Sequence, residues 1–320
     1  MEEMGIPVEL MPERLVSSSD VVGRLTAEAA TRVGLLAGTP VCAGGVDCVV
    51  ATLSAGVLET GQHVAVIGTS VNWGVVHEGF PKNRTLVTMP YVKEPLEKCY
   101  SYGGASTAGA LPRWFRDNFA EREKEAESAT GQSSYAALDV AAARIPAGSD
   151  GLLVLPYFMG ERCPIWDVNA RGTILGLTLH HSKAHVYRAI LESVAYALRH
   201  IVEATETGIQ LGKPCTIVGG ATKSRLWMQI FADVLGSPII CPRSSVEAPL
   251  GDALLAGVGV GVLSDFSAIN DWVDFEEPVM PDPDRHALYS VYFDEYLRLY
   301  PKLSDSMARL AGISGAQQSS

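Results

Sequence analysis

The sequence predicts an α/β protein, and three observations carry the prediction. Short β-branched runs such as HVAVI (63–67) and CTIV (215–218) alternate with longer stretches of helical periodicity. Glycines stand directly behind those runs, as Gly68 and as Gly219-Gly220, where a strand must turn sharply into its successor. The chain has 320 residues, 47% hydrophobic and 19% charged, which suits a globular protein with a sizeable core and about two domains by length.

The elements follow in order. Residues 20–33 read as a short strand or turn and then a helix. Residues 41–43 end a second short strand, Gly44 and Gly45 turn the chain, and a helix starts around Cys48 with small residues on several faces. Residues 63–67 and 72–77 are two strands joined by Gly68-Thr69-Ser70. Residues 105–127 read as one helix ending in the charged run AEREKEAE, and 128–149 hold the helix SSYAALDVAAARI, stopped at Pro146. GLLVLPYF is a short buried strand. Over 182–207 Ser182 caps a long helix whose Val186, Ile190, Val194, Leu198, Ile201 and Val202 form one apolar stripe. His185, Arg188, Glu192, Arg199 and Glu203 fall near its other side, where they are expected to be solvated or paired. CTIV leads to a helix over 223–235 closed by Gly236, and a strand at 238–241 leads to the small-residue helix PLGDALLAGVGVGV. The last helix, 284–302, spaces Tyr289, Phe293, Tyr296, Leu297 and Tyr300 as a packing stripe, and the tail SGAQQSS is expected to be disordered. No repeat is visible.

Charge and cysteines narrow the function. A net charge of −11 with no Lys/Arg-dense run argues against nucleic acid. The six cysteines (42, 48, 99, 163, 215, 241) form no CxxC pair, which fits reduced thiols in a cytoplasmic protein. The N-terminus lacks a signal-peptide pattern, and the longest apolar stretches are too short or too glycine-rich to span a bilayer.

Three places invite chemistry. Asp47 is the one charged residue in VCAGGVDCVVATLSAG, where it suits either a helix N-cap or a catalytic base held on a rigid scaffold. Gly68-Thr69-Ser70 makes either an ordinary hairpin turn or a set of amides aimed at an anion. Gly219-Gly220, between a strand and a helix, permits either tight packing or close approach of a phosphate or ribose. Neither GxGxxG nor GxxxxGK[ST] occurs, which disfavours a Rossmann oxidoreductase and a P-loop enzyme. The small-residue helices at 47–57 and 250–261 can cross closely, as a hinge between two lobes requires.

GTILGLTLHHSKAHVYRAILE (172–192) resembles the second signature of the FGGY carbohydrate kinases. Gly172, Ile174, Gly176, Leu177, His185, Val186, Ala189, Ile190, Leu191 and Glu192 all stand on its allowed types. GERCPIWDVNARG, GGATKSRLWMQIFADVLG, EAPLGDALLAG and PDPDRHALYSVYFDEYLRLY are similar to the same family, in the manner of xylulokinase-like and gluconokinase-like members. The resemblance runs from about residue 20 to 303. It implies an actin-like, ribonuclease H-like fold in which residues 1–58 end the N-terminal domain. Residues 59–280 would then form the C-terminal nucleotide-binding domain, and 281–320 a C-terminal helix and disordered tail.

By the same resemblance the reaction is ATP-dependent phosphorylation of a sugar hydroxyl, with ATP and Mg²⁺ as cofactors. The expected sugar is a pentulose such as xylulose; a gluconate kinase and a non-catalytic nucleotide-binding remnant are the alternatives. Asp47 matches the general base, and Cys48 beside it is placed against the sugar. Gly68 and Thr69 match the second phosphate turn, Gly109 a glycine lying against the nucleotide, and Gly220 and Ser224 the adenosine element. No metal ligand from the chain is implied. Arg113 stands where glycerol-specific members carry an amide, which argues against glycerol. The family's N-terminal half, with its first phosphate loop, first signature and most sugar contacts, has no counterpart in this sequence. The expected macromolecular partner is therefore a complementary chain carrying that half, or a second copy in a homodimer.

Overall fold

Strand–helix alternation is laid down in chain order by a computed structural model, which describes residues 5, 7–80, 85–205 and 209–318. β1 (Val21–Arg24) and β2 (Pro40–Cys42) pair antiparallel around α1 (Ala27–Val33). Thr26 starts α1 by accepting the Ala29 amide at 3.2 Å, and Gly34 ends it in the left-handed region. After α2 (Asp47–Ser54) come β3 (His63–Ile67), β4 (Val71–Glu78), β5 (Val87–Pro90) and β6 (Lys98–Ala105). Helices α3 (Ala110–Phe119), α4 (Glu121–Thr130) and α5 (Ser134–Ala142) precede the small β7 (Leu153–Leu155)–β8 (Thr173–Leu175) pair. The chain continues through α6 (Lys183–Glu203), β9 (Cys215–Val218), α7 (Arg225–Leu235), β10 (Ile239–Ile240), α8 (Ala248–Gly259) and α9 (Pro283–Gln318).

The main sheet has the order β10-β9-β3-β4-β6-β5. β3, β4 and β6 run antiparallel to one another in sequence, while β9 and β10 lie parallel to β3 on its other side. Period-two alternation sends β3 side chains to opposite faces, so Ala65 and Ile67 join one core and Val64 the other. The first core takes in α3, α6, α7 and α9; the second takes in α2 and α8. α2 and α8 cross so closely that a Cβ on Gly251 would lie 2.3 Å from the Val50 carbonyl oxygen, which explains the run of small residues there. Packing is continuous across residues 58 and 281. Val50, Leu53 and Val57 are buried in the second core, and Tyr289, Phe293 and Tyr296 in the first.

Four features differ from the sequence reading. β5 and β6 were not anticipated, because KCYSYGGA (98–105) mixes glycine and serine among its tyrosines and shows no apolar alternation. The single helix expected over 105–127 is the end of β6, a turn, and two helices broken at Ala120 (φ −117, ψ 46). On α6 the side expected to be solvated or paired is inside over its first turns, where pairing and not solvation holds: His185, Arg188 and Glu192 are buried, with Arg188 Nε 2.9 Å from Glu192 Oε1. Arg199 and Glu203 form an i,i+4 pair at 2.7 Å, with Glu203 exposed. α9 continues to Gln318 through most of the stretch expected as a disordered tail, since no proline follows Pro301 to stop it; residues 319–320 lie outside the described residues. Among the described residues no helix is long and apolar enough to cross a membrane.

Candidate functional site

The β3–β4 turn, the β6–α3 connection and the β9–α7 connection all open at one end of the sheet. There they enclose a cavity of about 720 Å³ lined by Gly68, Thr69, Gly109, Gly220 and Ser224. Five of the seven site residues expected from the sequence thus come together from three separate segments. Hydrogen bonds hold two of those segments to each other. Ala108 and Ala110 amides donate to the Thr69 carbonyl at 2.9 and 3.1 Å, and the Gly109 amide to the Gly68 carbonyl at 2.9 Å.

The glycines divide by what surrounds them. A Cβ on Gly109 would meet the Gly68 carbonyl oxygen at 2.4 Å, so Gly109 serves the close approach of two backbones. Gly219, at φ 103, lies against the Ile67 carbonyl oxygen in the same way. Gly68 and Gly220 have no atom within 4 Å of such a Cβ and leave open space on the cavity side. The Gly68 amide is turned back to the Ser70 carbonyl at 3.0 Å, so it does not join a set of amides aimed outward. Ser224 lines the cavity, yet its hydroxyl oxygen accepts the Trp227 amide at 3.0 Å as the N-cap of α7.

Of the other wall residues, Arg113 was read from the sequence only as an argument against glycerol, and Lys223, Tyr135 and Asp139 were not read as site residues. Arg113 and Lys223 bring positive charge, and Tyr135, held under the Arg116 guanidinium at 4.8 Å, supplies an aromatic face. Asp139 lies in the wall with the Tyr187 hydroxyl 3.3 Å from its Oδ1. Burial pushes its carboxyl up, against hydrogen bonds from Ser224 and Tyr187 that lower it. The signal was present: Asp139 is the one acid in the helix SYAALDVAA.

Asp47 and Cys48 do not line this cavity. Asp47 is the first residue of α2 and exposed; Val46 occupies the cap position, so Asp47 is not an N-cap. Its Oδ1 accepts the Cys48 amide at 2.6 Å. Cys48 packs against the second core, where burial and then Asp47 push its thiol up and keep it protonated at neutral pH. Tyr102, stacked on Tyr100 at 5.9 Å, packs against the same core. Its hydroxyl is raised by burial and then by Cys48 and Asp47, and lowered by Arg162.

Glu161 is only 4% exposed. Its Oε1 accepts the amides of Ser106 and Arg162, both at 2.7 Å, and burial pushes its carboxyl up to about 7. Among the described residues one His/Asp cluster has metal-ligand proximity, Asp150, His180 and His185, and His185 within it is engaged by its own helix start. The Ser182 amide donates to His185 Nδ1 at 3.1 Å, so the ring proton sits on Nε2 and is directed at Asp150 Oδ2, 3.1 Å away. A neutral His185 has no lone pair left for a metal.

An antiparallel hairpin (β3–β4) extended by two antiparallel strands on one side and two parallel strands on the other is the sheet of an actin-like, ribonuclease H-like domain. Residues 64–260 match the C-terminal domain of the FGGY family of carbohydrate kinases, and the chain belongs to that family. It is 29% identical over 314 residues to a gluconokinase of Bacillus subtilis, covering 93% of this chain and 58% of that protein. A xylulose kinase of the same organism is 28% identical, covering 95% of this chain and 59% of the relative. The crystal structure of xylulose kinase from Rhodospirillum rubrum superposes with a TM-score of 0.83 at 30% identity, over 95% of this chain and 59% of that one. The chain thus spans a little under three-fifths of the length of these relatives.

Proposed function

We propose that this chain is the nucleotide-binding portion of a kinase that transfers the γ-phosphoryl group of ATP to a sugar hydroxyl, with Asp47 as general base. The observation that carries the reading is the convergence of Gly68, Thr69, Gly109, Gly220 and Ser224 on one cavity. Its volume, two glycines open to it, cationic Arg113 and Lys223 and an aromatic wall suit a phosphate-bearing planar ligand such as ATP. The cavity wall offers Asp139 but no cluster of carboxylates, so Mg²⁺ would be held mainly by phosphate oxygens and water. When bound, Mg²⁺ supplies neutralisation of charge on the β and γ oxygens. The sugar oxygen bonds to the γ-phosphorus, the bond to the β–γ bridging oxygen breaks with its electron pair leaving on ADP, and Asp47 takes the hydroxyl proton. A carboxylate exposed at a helix start, beside a protonated Cys48, has room for a sugar to approach it.

The acceptor sugar in this reading is a pentulose such as xylulose. Similarity to a gluconokinase favours gluconate as a second reading. The sugar-binding partner surface is a complementary N-terminal half, and exposed apolar residues of the β1–α1–β2 unit, including Val22, Leu35 and Leu36, suit packing against it. Six free cysteines, four of them buried, fit a cytoplasmic setting.

The test is Mg-ATP-dependent ADP release over D-xylulose, L-ribulose, D-ribulose, gluconate and glycerol, with the chain alone and mixed with an N-terminal half. Turnover confined to the mixture supports the reading, and the sugar that elicits it names the substrate. Nucleotide binding without turnover in either case supports a non-catalytic remnant.

Gly220→Val provides a separate check on the cavity. The fold leaves space for the added side chain, so thermal stability should stay near wild type, while Mg-ATP affinity should fall roughly tenfold or more through lost phosphate and ribose contacts. An unchanged calorimetric titration would remove Gly220 from the nucleotide site.

A further inference from the structure

Arg162 reaches the end of the β4–β6 ladder that carries the turn at 68–70. Its Nη2 is 3.2 Å from the Ala105 carbonyl oxygen and 3.5 Å from Asn72 Oδ1. Ala105 pairs with Val71 and Gly104 with Asn72, so the guanidinium rests on the end of the β4–β6 ladder, one residue along from the turn at 68–70. Gly104 makes this possible, because a Cβ there would come within 2.3 Å of Asn72 Oδ1 and 3.0 Å of Arg162 Nη2. Tyr102 stands two residues before Gly104 on the same strand, and its hydroxyl is raised by burial, then by Cys48 and Asp47, and lowered by Arg162.

The arginine is held as well as placed. Glu161, buried directly beneath, ties the Arg162 amide and the Ser106 amide to one carboxylate oxygen. Ser106 opens the segment whose Ala108, Gly109 and Ala110 amides clamp the Gly68 and Thr69 carbonyls. One hydrogen-bonded frame therefore carries both the phosphate turn and the arginine. The side-chain acceptors of Arg162 are a carbonyl and a carboxamide, neither formally charged, so its positive charge is left for an incoming anion. Its side chain is exposed rather than packed away.

We propose that Arg162 is a phosphoryl-contacting residue, whose guanidinium engages the γ-phosphoryl oxygens as they pass from the turn at 68–70 toward the sugar oxygen at Asp47, with Glu161 as its positioning residue. The proposal rests on the nucleotide reading of the cavity. Arg162 exchanges no proton and forms no covalent bond; it stabilises charge on the equatorial oxygens, the role a planar cation with paired donors fills best.

Because the γ-phosphoryl group distinguishes ATP from ADP, the test is calorimetric titration of the chain with Mg-ATP and with Mg-ADP. Arg162→Gln should lower Mg-ATP affinity by roughly tenfold to a hundredfold relative to Mg-ADP, the range for a lost hydrogen bond to a charged group. Arg162→Lys, which keeps the charge and most of the stem, should recover part of the ratio. Glu161→Gln should shift the same ratio in the direction of Arg162→Gln, whereas a merely structural Glu161 would change both nucleotides alike. Equal loss of both nucleotides in Arg162→Gln, or no loss of either, overturns the proposal. Wild-type chain that binds neither nucleotide would overturn the nucleotide reading itself, whereas Gly220→Val binding both like wild type would remove only Gly220 from the site.

Discussion

Asp47→Asn is expected to cut sugar-dependent ADP release in the assembled enzyme by roughly two to four orders of magnitude, the usual contribution of a positioned general base. Mg-ATP affinity should stay within a factor of about two, because Asp47 does not line the cavity. The substitution is unusually clean. Asp47 is exposed at the first position of α2, and its one hydrogen bond, from the Cys48 amide at 2.6 Å, goes to an oxygen that asparagine also has. What the fold loses is the interaction of a negative charge with the helix N-terminus, on the order of 0.3–1 kcal/mol. Catalytic loss with an unchanged melting temperature therefore reads directly on the base. Turnover within a few-fold of wild type would sink the assignment. A collapse of stability together with ATP affinity would return Asp47 to a structural role at the start of α2.

Much of the frame was legible because it obeys local rules. HVAVI and CTIV are β-branched and bounded by glycine, and both are strands; Gly236 ends α7 in the left-handed conformation that its position predicted. β6 was not legible, because its pattern answers to neighbours rather than to period. Gly74 and Gly103 sit where Tyr100 and Cys163 come within 2.2 and 2.6 Å of a would-be Cβ, so glycine there is a packing solution from across the sheet and the β7–β8 region. Helical spacing likewise placed Arg188 and Glu192 away from the main stripe, but α6 is covered by α5, α7 and α9 and has no fully solvated side along its middle turns.

The site shows the same division. Gly68, Thr69 and Gly220 could be found because they follow strands directly, where backbone must be exposed. Tyr135 and Arg162 could not, since each is contributed by an element whose place is set by tertiary packing, and Asp139 showed only as the lone acid of its helix. GERCP carried a hint, for a Glu-Arg pair in an otherwise apolar stretch asks for partners, and Glu161 finds them in backbone amides rather than in a second charge.

Glu192→Ala should have the largest effect on stability, about 3–5 kcal/mol, the cost of leaving a buried charge without its partner. Glu192 is 1% exposed and Arg188 6%. The carboxylate accepts Arg188 Nε at 2.9 Å, the Tyr289 hydroxyl at 2.8 Å, the Gly148 amide at 3.1 Å and the Ser149 hydroxyl at 2.8 Å. It thereby joins α6 to α9 and to the turn before β7, while Arg188 extends the network to the Ala142 carbonyl at 3.4 Å. Truncation takes the acceptor from a guanidinium, two hydroxyls and an amide together. Replacing both partners with apolar residues, Arg188→Met with Glu192→Leu, removes the stranded charge and should recover part of the loss. Recovery should stop short of wild type, because Tyr289, Ser149 and Gly148 still lack an acceptor at roughly 1–3 kcal/mol for each group left unsatisfied. Urea unfolding of the single and double variants separates these contributions. A single variant within about 1 kcal/mol of wild type would mean that water reaches Arg188, and a double variant equal to wild type would mean that the pair alone mattered. The cavity supplies the link to function: Tyr187, one residue before Arg188, lines its wall, so saturating Mg-ATP should raise the midpoint of Glu192→Ala if the folded fraction keeps its nucleotide site.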